Sequence, residues 1–278
     1  MTDSETQKRM ELAKRIAVSA GKLTLGYFQT DRFDVMKKGD GSPLTIADQN
    51  AEKHLRAEIL DAFPDDAIIG EEFGETSGES GFRWILDPID GTKSFISGVP
   101  LYGTMVGVEK TGNQKEARRS VIGSVYMPSL ETGIYAMRGG GAWAFEGDQA
   151  PVRAHVSTKT ELADSVFVTS AVEAFFERKA GDIYRELADR VYFYRTWGDA
   201  YGYYLVATGR VEMMIDPILN IWDAAAVQPI IEEAGGTFTD WSGAPRIDAG
   251  EAIGSNGHVH ADLIAITKHA TRYEQPNN

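Results

Sequence analysis

Apolar residues recur every three to four positions through Met10, Ala13, Ile16, Ala17, Ala20 and Leu23, the spacing of one helical face, and predict a helix over residues 5–29. The same period returns at Leu55, Ile59, Leu60 and Phe63 and predicts a second helix over 46–63, which stops before Pro64. The pattern then shortens to that of strands, with segments predicted at 67–70, 83–87, 103–109 and 120–127. A hairpin follows over 133–145, turning at Gly139-Gly140-Gly141. This half of the chain, about residues 1–150, reads as α+β. Beyond it, strands at 165–169, 191–196 and 211–215 alternate with helices near 172–189, 199–209, 223–235 and 259–270, the signature of a layered α/β half.

The apolar strand Trp84-Ile85-Leu86 runs into Asp87-Pro88-Ile89-Asp90-Gly91-Thr92. Two acids at a buried strand end repel each other and lose hydration, and a hard divalent cation is the natural compensation. Pro88 is expected to set a turn there, with Asp90 returning its carboxylate towards Asp87. Gly91 and Thr92 offer backbone N–H groups at the opening of a turn or helix, suited to a phosphate oxygen, and the Thr92 hydroxyl suits a water. Asp, Pro and Gly also make ordinary loops, so three further acidic positions matter. Ala67-Ile68-Ile69-Gly70 ends in Glu71-Glu72, Thr45 precedes Asp48 at the start of the second helix, and Trp222-Asp223-Ala224 puts an acid at a helix start. Each has a plain alternative. Thr45 and Asp48 form a capping-box pattern, Asp223 suits a helix dipole, and Glu71-Glu72 can be solvated loop charge.

Taken in order, Thr45-x-x-Asp48, Gly70-Glu71-Glu72, Asp87-Pro88-Ile89-Asp90-Gly91-Thr92 and Trp222-Asp223 resemble the inositol monophosphatase family of magnesium-dependent, lithium-sensitive phosphatases. The resemblance spans nearly the whole chain. It implies a layered αβαβα sandwich made as one catalytic unit over 1–278, and commonly a homodimer. It implies two to three Mg²⁺ ions: a first held by Glu71, Asp87 and the Ile89 carbonyl, a second by Asp87, Asp90 and Asp223, and a third, weaker one by Asp48 and Glu71. In that scheme Glu71 and Thr92 orient an attacking water whose pKa the metal lowers from about 16 towards neutrality. Gly91 and Thr92 bind the phosphoryl oxygens, and Asp223 helps protonate the leaving oxygen.

The substrate is less sharply written. Lys93, after Gly91-Thr92, and the segment from Arg195 to Tyr203 resemble the bacterial histidinol-phosphatase branch. Asp199 stands where inositol enzymes carry a small neutral residue, and Asp216 matches the family position that contacts the leaving group. Two acids suit a cationic leaving group such as histidinol. Asp199 also reads as a helix cap and Asp216-Pro217 as a turn. Inositol phosphate, fructose 1,6-bisphosphate, adenosine 3′,5′-bisphosphate and NADP are the alternative substrates, and a non-catalytic metal-binding homologue is the alternative outside enzymes.

The net charge of −13, from 28 basic and 41 acidic residues, argues against a nucleic-acid partner. With no cysteine there is no disulfide framework and no thiolate site. Five histidines show no zinc-site spacing, and the pair His258-x-His260 is expected at the surface. The polar start and the lack of any apolar run of about 20 residues point to a cytoplasmic protein without a membrane partner.

Overall fold

In the computed structural model, residues 4–30, 36–37, 43–111 and 118–269 are described. The chain begins with α1 (Ser4–Thr24), followed by the short strands β1 (Met36–Lys37) and β2 (Pro43–Leu44), and α2 (Ile46–Ala62). Then come β3 (Ala67–Gly70), β4 (Gly74–Thr76), β5 (Phe82–Asp90), α3 (Thr92–Ile96), β6 (Gly103–Lys110), β7 (Ser120–Met127), β8 (Thr132–Met137), β9 (Gly141–Glu146) and β10 (Val152–Arg153). The remaining elements are β11 (Val166–Val168), α4 (Val172–Glu177), α5 (Gly181–Arg190), β12 (Phe193–Arg195), α6 (Asp199–Ala207), β13 (Met213–Asp216), α7 (Ile221–Ala225), α8 (Val227–Glu233), β14 (Thr237–Thr239), β15 (Ala252–Ser255) and α9 (His260–Thr267).

An eight-stranded sheet has the order β10-β9-β8-β7-β6-β5-β3-β4, and a five-stranded sheet the order β12-β11-β13-β15-β14. The first is antiparallel except where β3 runs parallel to β5; in the second, β12, β11 and β13 are parallel. Alternation along β5 decides which layer each side chain joins. Trp84 and Leu86 pack with the apolar faces of α1 and α2, whereas Ile85 joins the core between the two sheets. That central core takes in α6, α7 and α8, while α4, α5 and α9 cover the outer face of the smaller sheet through Phe175, Leu187 and Leu263. The layers are therefore α, β, α, β, α, as the resemblance implied.

Glycine and alanine allow the central helices to lie close on the large sheet. A Cβ on Gly107 would sit 2.7 Å from the Ala225 Cβ, and one on Gly123 would sit 1.8 Å from the Ala226 carbonyl oxygen. Ala225 and Ala226, at the junction of α7 and α8, are thus the contact that seats the end of α7, two residues from Asp223, against β6 and β7.

Several expected elements differ. The first helix ends at Thr24 rather than at 29, because the chain turns so that Tyr27 and Phe28 pack with Phe95 and Tyr102. The helix expected over 172–189 is two, α4 and α5, broken near Lys179, whose φ is 61°. The helix expected over 223–235 is likewise α7 and α8. The turn expected at Pro88 does not form: β5 continues to Asp90 through a bulge between Asp87 and Asp90. The polar stretch after Glu72 carries the edge strand β4. Position 270, the end of the helix expected over 259–270, lies outside the described residues; α9 ends at Thr267.

Candidate active site

Asp87 and Asp90 are buried at the end of β5, 2% and 9% exposed. Asp87 pairs in register with Met105 and Asp90 with Gly103, so the bulge carries the strand through two acids without leaving the sheet. Counting along the pleat, Asp87 falls on the face of Ile85, towards the central helices. Its Oδ1 is buried and has no hydrogen-bond partner among the described residues. Asp90 accepts the Ala200 N–H at the start of α6.

Asp223 reaches the same place from the other side of the interlayer core. Its Oδ2 accepts the Asn220 N–H at 2.6 Å, and with Asn220 it forms a capping box that fixes the first turn of α7. Among the described residues, Asp87, Asp90 and Asp223 form a group whose ligand oxygens lie within 4.8 Å of one another. A capping acid and a cluster acid are here the same residue.

Thr45 and Asp48 form the expected capping box: Asp48 Oδ2 accepts the Thr45 N–H at 2.8 Å and the Thr45 hydroxyl at 2.6 Å. Glu71 lies half-buried in the turn after β3, its N–H donating to the Leu86 carbonyl at 3.2 Å, so that it stands beside the strand that carries Asp87. Gly91 has φ 83° and precedes α3; a side chain there would be strained, and its Cβ would lie 3.0 Å from Asp199 Oδ2. The Thr92 hydroxyl donates to the Ile89 carbonyl at 3.0 Å.

Asp199 and Asp216 flank this group. Asp199 is the first residue of α6 rather than its cap, which is Gly198, and it has φ 53°. A non-glycine residue in that left-handed conformation is strained by about 1–3 kcal/mol, and its N–H is held by Ser170 Oγ at 2.9 Å. Asp216 ends β13, 4% exposed. Its Oδ1 accepts the Ser170 N–H at 3.1 Å and its Oδ2 the Tyr203 hydroxyl at 3.0 Å. Lys93 is exposed on α3, and its charge acts on Asp199.

Burial and mutual repulsion act in the same direction on these acids. Loss of hydration, and then the charges of Glu71, Asp90 and Asp223, push Asp87 well above the usual carboxylate range. Asp90 is pushed well up by burial, then by Asp199 and Asp223. Burial and then Glu71 raise Asp223 to about 8, and burial raises Asp216 to about 6. Burial also raises Asp199, opposed by a hydrogen bond with Ser170 and by Lys93. A site that disfavours its own charges this strongly is complementary to a cation.

The sequence profile of the inositol monophosphatase family matches residues 5–272. The chain belongs to this family. A histidinol-phosphatase from Chlorobaculum parvum is 40% identical over 95% of this chain and 98% of its own length. One from Streptomyces coelicolor is 34% identical over 92% and 95%. A solved structure of the extragenic suppressor protein suhB from Bartonella henselae superposes with a TM-score of 0.84 at 28% identity, covering 95% of this chain and all of that one. Membership over this span makes the chain a phosphomonoester hydrolase of a metal-using family.

Sequence reasoning missed Tyr203 and Ser170, which hydrogen-bond Asp216 and the Asp199 backbone, and Glu52, which accepts the Glu72 N–H next to Glu71. Each looks like an ordinary residue of its element, and only the fold brings it to the site. The pair His258-x-His260 also divides. His258 is exposed, but His260 bonds Thr239 Oγ1 at 3.0 Å and Ser255 Oγ at 2.9 Å, and burial lowers its pKa to about 4. No helix among the described residues is long and apolar enough to cross a membrane.

Proposed function

We propose that the chain is a magnesium-dependent phosphatase that hydrolyses histidinol phosphate to histidinol and phosphate. One observation carries the metal assignment: three carboxylates with ligand oxygens within 4.8 Å, one of them presenting a buried oxygen with no hydrogen-bond partner among the described residues. The donors are all oxygen, which suits Mg²⁺ and not a soft metal. Glu71, Asp87 and the Ile89 carbonyl would hold one ion, Asp87, Asp90 and Asp223 a second, and Asp48 with Glu71 a third. When bound, the ions supply Lewis-acid activation of water and neutralise charge on the phosphoryl oxygens.

The chain's own groups orient the reactants. The Thr92 hydroxyl proton is committed to Ile89, which leaves the Thr92 oxygen to accept one hydrogen of the attacking water, while Glu71 accepts the other. The Gly91 and Thr92 N–H groups, at the opening of α3, face the phosphoryl oxygens. The water oxygen bonds to phosphorus as one of its protons passes to Glu71, the bond from phosphorus to the substrate oxygen breaks, and a water oriented by Asp223 gives a proton to that oxygen and regains one from Glu71.

The relatives named histidinol-phosphatase support the substrate, as do Asp199 and Asp216 beside Asp90. A carboxylate pair next to the metal acids suits an ammonium or imidazolium and is poorly used by a neutral polyol. Phosphate release should be measured on histidinol phosphate, inositol 1-phosphate, fructose 1,6-bisphosphate, adenosine 3′,5′-bisphosphate and NADP. A preference for histidinol phosphate supports the assignment, and a preference for inositol 1-phosphate overturns it.

The same reading takes the whole chain as one catalytic unit, supported by the apolar core shared between the two sheets. It includes lithium inhibition, a cytoplasmic setting and a homodimer. For the dimer, the exposed aromatics Tyr192, Tyr194 and Trp197 along and beside the edge strand β12 are a surface that a second copy would cover. Sedimentation of the purified protein tests it.

A further inference from the structure

Glu52 is fully buried in the middle of α2, a position where a charge persists only if it is paired and hydrogen-bonded. It is. One carboxylate oxygen accepts the Glu72 N–H at 2.7 Å, and the other accepts the Phe73 N–H at 3.2 Å and the Arg56 Nε at 2.7 Å. Arg56 then reaches along the same turn, donating to Thr76 Oγ1 at 3.1 Å and to the Gly74 carbonyl. Gly70 is part of the arrangement, because a Cβ there would lie 2.1 Å from Glu52 Oε1.

Asp48, Glu52 and Arg56 are spaced four residues apart on α2, so they form one polar stripe along the helix. Its first member is fixed by Thr45, and the other two clamp residues 72–76. Glu71 is the residue immediately before the clamped N–H groups. It is tied on its other side to β5 through its own N–H and Leu86.

We infer that Glu52 is a positioning residue: with Arg56 it fixes the turn that presents Glu71 to Asp87. The inference rests on the role proposed above for Glu71. Glu52→Gln keeps the shape but turns an NH₂ towards an N–H donor and removes the charge that Arg56 pairs with. Residues that orient metal ligands typically govern about 10- to 100-fold in metal affinity or activity. Glu52→Gln is therefore expected to weaken Mg²⁺ binding about 10-fold by calorimetry on the substrate-free protein, and to lower kcat about 10- to 100-fold with KM little changed. Arg56→Lys, which keeps the charge and loses the fork, should retain most of both. Glu71→Gln serves as the control.

If Glu71→Gln binds Mg²⁺ and turns over like wild type, the role of Glu71 fails and the inference with it. If Glu71→Gln is impaired but Glu52→Gln binds Mg²⁺ normally and loses only melting temperature, the positioning role alone is overturned. Should Glu52→Gln not fold, Arg56→Gln, which opens the clamp from its more exposed side, decides by the same two readouts.

Discussion

Replacing Asp223 by Asn should stabilise the metal-free protein, and by an amount that depends on pH. Asp223 has a folded-state pKa of about 8 against 3.8 for an unperturbed Asp. A carboxyl raised in this way binds its proton more readily in the folded chain than in the unfolded one. Its ionised form therefore destabilises the fold above the folded value, and stability returns as the pH falls through that value towards the unfolded one. At about 1.4 kcal/mol per unit the full difference is about 6 kcal/mol; partial exposure of Asp223 screens it to about 2–4 kcal/mol.

Asn keeps an oxygen for the Asn220 N–H, so the cap loses at most about 1 kcal/mol. In chelator at about pH 8, the variant should then melt roughly 2–16 °C above wild type, given about 2–4 °C per kcal/mol for a chain of this size. Near pH 5 the gap should shrink to a few degrees, because wild-type Asp223 is by then protonated in the fold. With saturating Mg²⁺ the order should reverse, since only wild type retains the ligand. Differential scanning calorimetry across pH, with and without metal, measures all three. A variant that melts at or below wild type in chelator at pH 8 refutes the argument that these acids are held together against their own repulsion.

Asp87→Asn should lower turnover by several orders of magnitude with circular dichroism unchanged, because in the proposed scheme Asp87 is the acid that both principal ions would share; near wild-type turnover removes it from the ligand set. Asp199→Asn and Asp216→Asn should each lower kcat/KM about 10- to 100-fold on histidinol phosphate, the worth of one charge-assisted hydrogen bond of about 1.5–3 kcal/mol, and much less on a neutral aryl phosphate; equal losses on both substrates would make them structural. Gly123→Ala should destabilise the protein by about 1–3 kcal/mol and lower activity by shifting α7, because its Cβ meets the Ala226 carbonyl oxygen at 1.8 Å; an unchanged melting curve would show that the helix yields freely.

Much of the site can be read along the chain because its acids sit at ends of elements, where short-range signals are strongest. The Thr45 and Asp48 capping box formed as its spacing suggests, and Asp90 and Asp223 meet Asp87 as the resemblance implied. Pro88 misled because proline usually ends a strand; here a bulge absorbs it, and the chain stays in the sheet to Asp90. The expected helix over 172–189 broke because Lys179 takes a left-handed conformation that periodicity does not register. The strands β14 and β15 went unseen because they are short and bounded by glycine-rich segments. Glu52 and Tyr203 were illegible for a different reason: their partners lie 20 and 13 residues away, and only tertiary packing pairs them.

The most direct test of the account is phosphate release from histidinol phosphate by the purified wild-type chain, titrated with Mg²⁺ after exhaustive chelation. No release is expected in excess chelator, with recovery on adding Mg²⁺ and loss again when lithium is added at millimolar levels. Full turnover in excess chelator would contradict it, because Asp87, Asp90 and Asp223 would then be gathered for some purpose other than holding metal.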